Sequence, residues 1–256
     1  MLDKTQEPDL ERRFGGVARL YGAAGLARFQ AAHVCVIGIG GVGSWAAEAL
    51  ARNAVGRITL IDLDHIAESN VNRQLHAVEG EFGKAKVTAM AERIRAINPA
   101  CRVHEIEDFV TVENVEAMLN RGFDGIVDAI DDVRAKAALA AFCRSNKQPL
   151  VMTGGAGGRL DPTRINCADL ATTNGDRLLA KVRTSLRRDY GFPGGAKTKF
   201  DIPCIYSDEA VIKPEQSCAS IVLAGLNCAG YGSSVCVTAS FGMAAAATML
   251  SLVLKA

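Results

Sequence analysis

Gly38-Ile39-Gly40-Gly41-Val42-Gly43 follows the apolar run His33-Val34-Cys35-Val36-Ile37 and precedes an alanine-rich stretch, residues 44–53. A G-x-G-x-x-G spacing between a strand and a helix brings backbone N–H groups against phosphate oxygens at the helix N-terminus. Alone, the spacing also fits a purely structural turn. Asp62 ends the next apolar run, Ile58-Thr59-Leu60-Ile61, where a carboxylate accepts from ribose hydroxyls or else caps a turn; Asp64 reads as the turn residue. A long loop then carries Asn70, Arg73 and Gln74, and Lys86 opens the next helical stretch. Two cations beside a phosphate loop exceed what a dinucleotide needs and suit a triphosphate, whose charge must be neutralised as pyrophosphate leaves. Arginine grips phosphate through two parallel hydrogen bonds, whereas lysine acts as a point charge. A solvated basic loop is the bland alternative. Asp128 and Asp131 close a further apolar run; with ATP bound, Asp131 can hold Mg²⁺. Asp132 fits a helix N-cap better.

These residues need a scaffold, and the pattern supplies one. Strands are predicted at 33–38, 57–62, 102–106, 125–130 and 149–153, and helices at 43–53, 84–97, 112–120 and 135–145. This alternation predicts an α/β, Rossmann-like, doubly wound and mainly parallel sheet in the N-terminal half. Asn98-Pro99 stops its helix because proline cannot continue one. Residues 13–29 read as helical, broken by Gly22 and Gly25. From Gly154 the pattern loosens into a mixed C-terminal extension with a basic helix at 178–188, and 190–199 is expected to be mobile. No linker separates two domains: one domain spans 1–256, with a nucleotide-binding half of about 30–153 and a substrate part of about 154–256.

With 29 basic and 28 acidic residues among 256, whole-chain charge selects no partner, and nucleic-acid binding needs a local patch. Arg177, Lys181, Arg183, Arg187, Arg188, Lys197 and Lys199 provide one, interrupted only by Asp189. Arg183, Arg187 and Arg188 are the candidate RNA contacts, a solvated helix face being the alternative. The eight cysteines form no C-x-x-C pair, so no structural zinc is expected. Residues 1–11 lack a secretory h-region, and a cytoplasmic setting is expected. The uncharged stretch 235–254 is nearly long enough to span a bilayer. A strand (235–240), a glycine turn and a buried helix (243–254) explain it equally well, so no stable membrane insertion is expected.

The constellation of loop 38–43, Asp62, Ser69-Asn70, Arg73-Gln74, Lys86 and Asp128 to Asp131 resembles the ubiquitin-activating-enzyme-like adenylating family of the ThiF, MoeB and HesA type. Within it, the likeness extends to the branch that dehydrates threonylcarbamoyladenosine in tRNA. The further pieces are Arg13-Phe14-Gly15-Gly16, Arg19-Leu20-Tyr21-Gly22, GIGGVGSWAAEALA (38–51), Asn98-Pro99, Lys136-Ala137-Ala138-Leu139, TGGAGG (153–158) with Asp161-Pro162-Thr163, and VTASFG (237–242). The resemblance implies ATP over the glycine loop, its ribose on Asp62, its phosphates on Arg73 and Lys86, and Mg²⁺ on Asp131. It implies attack of a tRNA-borne threonyl carboxylate on the α-phosphorus, at the adenosine just 3′ of an anticodon. It also implies tRNA as partner, a homodimer, and a cysteine desulfurase or sulfur-acceptor system as a candidate partner. Activation of a sulfur-carrier protein's C-terminus is the alternative, weakened by the missing zinc cysteines. An NAD-dependent oxidoreductase would leave Arg73 and Lys86 idle. Where relatives place a second subunit-crossing arginine this chain has Gly15-Gly16, so Arg13 or Arg19 is the candidate. Asp132 replaces the family's usual Asn or Ser. Cys228 reads either as a transfer thiol or as a structural one.

Overall fold

The computed structural model describes residues 8–195, 198–212 and 231–255. Lys197, Cys218 and Cys228 lie outside the described residues. Seven strands form one sheet: β1 (His33–Ile37), β2 (Arg57–Ile61), β3 (Arg102–Ile106), β4 (Gly125–Asp128), β5 (Leu150–Thr153), β6 (Ile165–Asp169) and β7 (Pro203–Ser207), in the order β3-β2-β1-β4-β5-β7-β6. Every neighbouring pair is parallel except β6 with β7. Strands run outward from β1 in one direction to β2 and β3, and in the other to β4 and β5. The cleft between β1 and β4 is therefore the switch point at which α/β sheets bind ligands.

The helices are α1 (Leu10–Ala31), α2 (Gly43–Arg52), α3 (Lys86–Ile97), α4 (Val115–Leu119), α5 (Val133–Ser145), α6 (Arg177–Asp189) and α7 (Val235–Val253). β1 is buried on both faces, as a central parallel strand must be. Val34 and Val36 pack toward α2, α3 and α7 with Leu50, Met90, Phe241 and Met249. Cys35 and Ile37 pack toward α4, α5 and α6 with Leu119, Leu139, Leu179 and Phe200. Each large apolar side chain buried here contributes roughly 1.5–3 kcal/mol. α1 bends at Gly22, whose φ of 77° no ordinary helical residue adopts, whereas Gly25 stays helical and lies against Tyr21 and Leu254.

The expected strand and turn at 235–242 do not form. Residues 235–253 make one helix, capped by the Ser234 hydroxyl, which accepts from the Cys236 N–H. The β-branched Val235, Val237 and Thr238 suggested a strand, and burial against α2 overrides that local preference. Gly242 is no turn. A Cβ there would lie 2.5 Å from the Val42 carbonyl oxygen and 2.7 Å from Trp45 Cβ, so it lets α7 touch α2. α7 is long and apolar enough to cross a membrane, yet Val237, Phe241, Ala245, Ala246, Met249 and Leu250 are buried in the core. β6 and β7 are additions that the loosened pattern after Gly154 did not anticipate. Smaller differences are confined to element ends: α3 begins at Lys86, α4 at Val115, and β4 stops at Asp128.

Candidate active site

The loop leaving β1 is shaped by contacts that only glycine permits. Gly38 has φ 84°, and a Cβ on it would sit 2.9 Å from the Ala129 carbonyl. A Cβ on Gly43 would overlap the Gly38 carbonyl oxygen and lie 2.9 Å from its carbon. The loop thus folds tightly onto the start of α2 and against the end of β4. Asp62 holds it from the side: one carboxylate oxygen accepts the Ile39 N–H at 2.6 Å and the other the Asp64 N–H at 2.9 Å. Asp62 is buried, and desolvation raises its carboxyl above the usual range against the opposing charge of Lys86. Two of a carboxylate's four lone-pair sites remain for a ribose hydroxyl.

The long loop after β2 is brought onto the same site. Asn70 closes a short 3₁₀ turn, its side-chain oxygen accepting the Ala67 N–H at 3.1 Å. That turn delivers Arg73 and Gln74. Arg73 Cγ lies 3.0 Å from where a Gly41 Cβ would stand, and the Arg73 carbonyl accepts the Trp45 indole N–H at 3.0 Å. The Arg73 guanidinium is parked on the Ser69 carbonyl and the Asn72 side chain. Gln74 is buried with its amide oxygen unpaired among the described residues, and its Nε2 is 4.0 Å from a Cβ built on Gly40. Lys86 is buried, its ammonium 4.0 Å from Asp62 and 2.6 Å from Asp64. The expectation for Asp64, a mere turn residue, misses this ion pair. Asp64 holds Lys86 in place and is a counter-ion that an incoming phosphate would compete with.

From the β4 side, Asp131 comes close enough to Asp64 and Lys136 to feel their charges, and burial raises its carboxyl. Asp132 caps α5 through the Ala135 N–H at 2.7 Å, as its position suggested. Asp128 points inward: it and Lys136 form an ion pair at 2.9 Å, both fully buried. Among the described residues no three His, Cys, Asp or Glu side chains cluster as a metal site. Mg²⁺ commonly needs only one or two carboxylates besides phosphate oxygens, so Asp131 fits that role with a nucleotide and not alone.

Residues 14–255 match the ThiF family. The chain belongs to the ThiF family. Among relatives of this ThiF chain, the tRNA threonylcarbamoyladenosine dehydratase of Escherichia coli is 52% identical over 91% of this chain and 90% of its own. The protein of that name from Haemophilus influenzae is 49% identical over 96% and 94%. The crystal structure of the E. coli dehydratase TcdA in complex with ATP superposes with a TM-score of 0.89 at 49% identity, covering 97% of this chain and 96% of that one.

Other predicted site residues of this ThiF chain lie elsewhere. Arg13 donates to the Ala96 and Ile97 carbonyls, closing the C-terminus of α3, while Arg19 is exposed on α1. On α6, Arg183 turns inward onto Leu170 and Thr173, Arg187 lies over the Phe200 ring at 5.6 Å, and Arg188 pairs with Asp189. Arg183 therefore braces the 170–173 loop, a role set by half-burial that a helical charge pattern does not reveal. Sequence reasoning also missed His76, buried beside Lys86 with neither ring nitrogen hydrogen-bonded among the described residues. Buried Cys35, Cys101, Cys143 and Cys204 have raised thiol pKa values, chiefly through desolvation.

Proposed function

We propose that this protein dehydrates N6-threonylcarbamoyladenosine in tRNA, using ATP to activate the threonyl carboxylate. The observation that carries the reading is near full-length identity, about half of all positions, with an enzyme of that activity solved with ATP. The triphosphate machinery at the β1–β4 switch point supports it. ATP lies over loop 38–43, whose backbone N–H groups face phosphate at the start of α2. Asp62 accepts from the ribose. Gln74 offers a buried amide oxygen that has no partner within the described chain.

The carboxylate attacks the α-phosphorus and pyrophosphate departs. Lys86, released from Asp64, and Arg73, swung from its resting carbonyl, neutralise the charge that develops. Mg²⁺ on Asp131 would add further charge neutralisation to the phosphates. The carbamoyl group then closes onto the activated carbonyl, and the carboxylate oxygen leaves with AMP, so the nucleoside loses one water. Such steps ask the protein for alignment and charge more than for proton transfer.

In this reading the halves act as one domain and the enzyme is a homodimer. Arg19 is then the arginine that reaches the partner's phosphates, since Arg13 is committed to α3. The tRNA backbone follows the surface groove between α5 and α6, lined by Arg134, Lys181 and Arg188 with Thr184 and Ser185. A tRNA substrate supports a cytoplasmic setting.

The deciding measurement is nucleoside mass spectrometry of modified tRNA incubated with protein and ATP. Loss of one water at the threonylcarbamoyl adenosine, with AMP formed only when that tRNA is present, is expected. AMP formation with a Gly-Gly-ended carrier protein and not with tRNA overturns it.

A further inference from the structure

At the carboxyl end of β5 the chain makes a second glycine loop, Gly154-Gly155-Ala156-Gly157-Gly158, which the ATP site does not use. Thr153, just before it, donates to the Asp128 carbonyl at 3.1 Å, so this loop adjoins the end of β4. It stands two strands from loop 38–43, about 10 Å away across the sheet. What holds it is a buried ion pair. Asp176 and Arg159 are both 1% exposed and 3.2 Å apart. One Asp176 oxygen accepts the Gly155 N–H at 2.9 Å, and the other caps α6 through the Leu179 N–H at 2.9 Å. Arg159 extends to the carbonyl of Ser207, the last residue of β7, and to that of Glu209 just beyond it. Two side chains thus tie the loop to α6 and to the end of β7.

Gly154 makes the clamp possible: a Cβ there would overlap the Asp176 carboxylate, 2.8 Å from its Cγ. A buried ion pair is seldom retained for stability, because apolar residues of similar volume do as well. Here it fixes the position of a backbone at the ligand edge of the sheet. Among the described residues, the N–H groups of Ala156 and Gly157 make no hydrogen bond.

We propose that Arg159 and Asp176 are positioning residues for the second substrate: they hold loop 154–158 as the seat of the threonylcarbamoyl end of the modified adenosine. The proposal rests on the dehydratase reading above. The loop lies where that group must arrive if its carboxylate is to meet an α-phosphorus over loop 38–43.

The test uses full-length protein carrying Asp176→Asn, which weakens the ion pair, or Gly154→Ala, which displaces the carboxylate without changing charge. ATP affinity is measured on protein alone, and initial rates are measured against modified tRNA concentration. ATP Kd within twofold of wild type, with kcat/KM for modified tRNA lowered at least tenfold, is expected. Where Asp176→Asn does not fold, Gly154→Ala decides. Unchanged kcat/KM in a folded variant, or a matching loss of ATP affinity, overturns the assignment. A wild-type protein inactive on modified tRNA overturns the dehydratase reading itself, and the clamp's role with it.

Discussion

Loop 38–43 contains glycines required for two different reasons, and substitution separates them. At Gly43 an added methyl meets backbone on its own side: it overlaps the Gly38 carbonyl oxygen and lies 3.3 Å from Ala129 Cβ. Neither the Gly38 carbonyl nor the Ala129 methyl can rotate away, so β1's exit must open. Overpacking of this kind costs about 3 kcal/mol or more, which lowers Tm by roughly 6–12 °C in a chain of this size. At Gly40 the nearest atom to a built Cβ is the Gln74 amide nitrogen at 4.0 Å, which is ordinary contact. Gly40→Ala therefore leaves Tm within about 2 °C, in keeping with a surface change of at most about 0.5 kcal/mol. Its methyl instead occupies the side from which pyrophosphate approaches the backbone. Any ATP still bound with its phosphates shifted by about 1 Å would react on the order of 100-fold more slowly. Gly40→Ala should therefore lose ATP binding while keeping its fold, and Gly43→Ala should lose both. Differential scanning fluorimetry and ATP titration of the two variants provide the readout. A Gly43→Ala protein with wild-type Tm, or a Gly40→Ala protein with wild-type ATP affinity, refutes the reasoning.

Three other perturbations test the site's surroundings. Burial first, then the charges of Lys86 and Arg93, lowers the His76 pKa from 6.5 to about 4. Between those values the unfolded chain binds the extra proton, so stability falls as pH drops from 6.5 to 4, by up to roughly 3 kcal/mol. His76→Leu should flatten that slope in melts between pH 7 and 4.5; an unaltered slope removes the assignment. Lys136→Met strands the buried Asp128 carboxylate and should cost about 3–5 kcal/mol, with the double variant Lys136→Met/Asp128→Asn recovering part of the loss in urea melts. Neutralising Lys181 and Arg188, which line the α5–α6 groove, should weaken tRNA binding in filter titrations and reduce the slope of log K against log salt by about 1 for each phosphate no longer neutralised; unchanged affinity counts against that path.

The residues with local signals could be read directly. β3 has the predicted bounds, 102–106, and α2, β1, β2 and β5 differ by one residue at an end. Loop 38–43 and Asp62 follow strand ends and Lys86 opens a helix, positions that sequence marks, while Arg73 and Gln74 are delivered by the 3₁₀ turn at Glu68–Asn70. Pairings between distant segments were not legible. Asp64 meets Lys86 only because His65 bridges to Ala85 in a short antiparallel pairing. Arg159 meets Asp176 across 17 positions of sequence and also reaches the Ser207 carbonyl of β7. β6 and β7 are five residues each, and neither carries an alternating apolar pattern that extends far enough to stand out. The C-terminal helix shows the opposite failure, a strong local suggestion of strand overruled by packing on α2.

β7 occupies the place between β5 and β6, although β6 precedes it in the chain. During synthesis, β5 is therefore an open parallel edge until residue 207 has emerged, and the α2 side of the sheet lacks its cover until α7 follows. Unpaired edges and uncovered apolar faces are where nascent chains associate wrongly. A ribosome-released fragment ending anywhere from 154 to 234 would carry every residue of the phosphate loop and still expose α2's apolar face. Such a fragment should be a chaperone client and an aggregation risk, because the helix that follows the phosphate loop gains its packing partner α7 only near the end of synthesis.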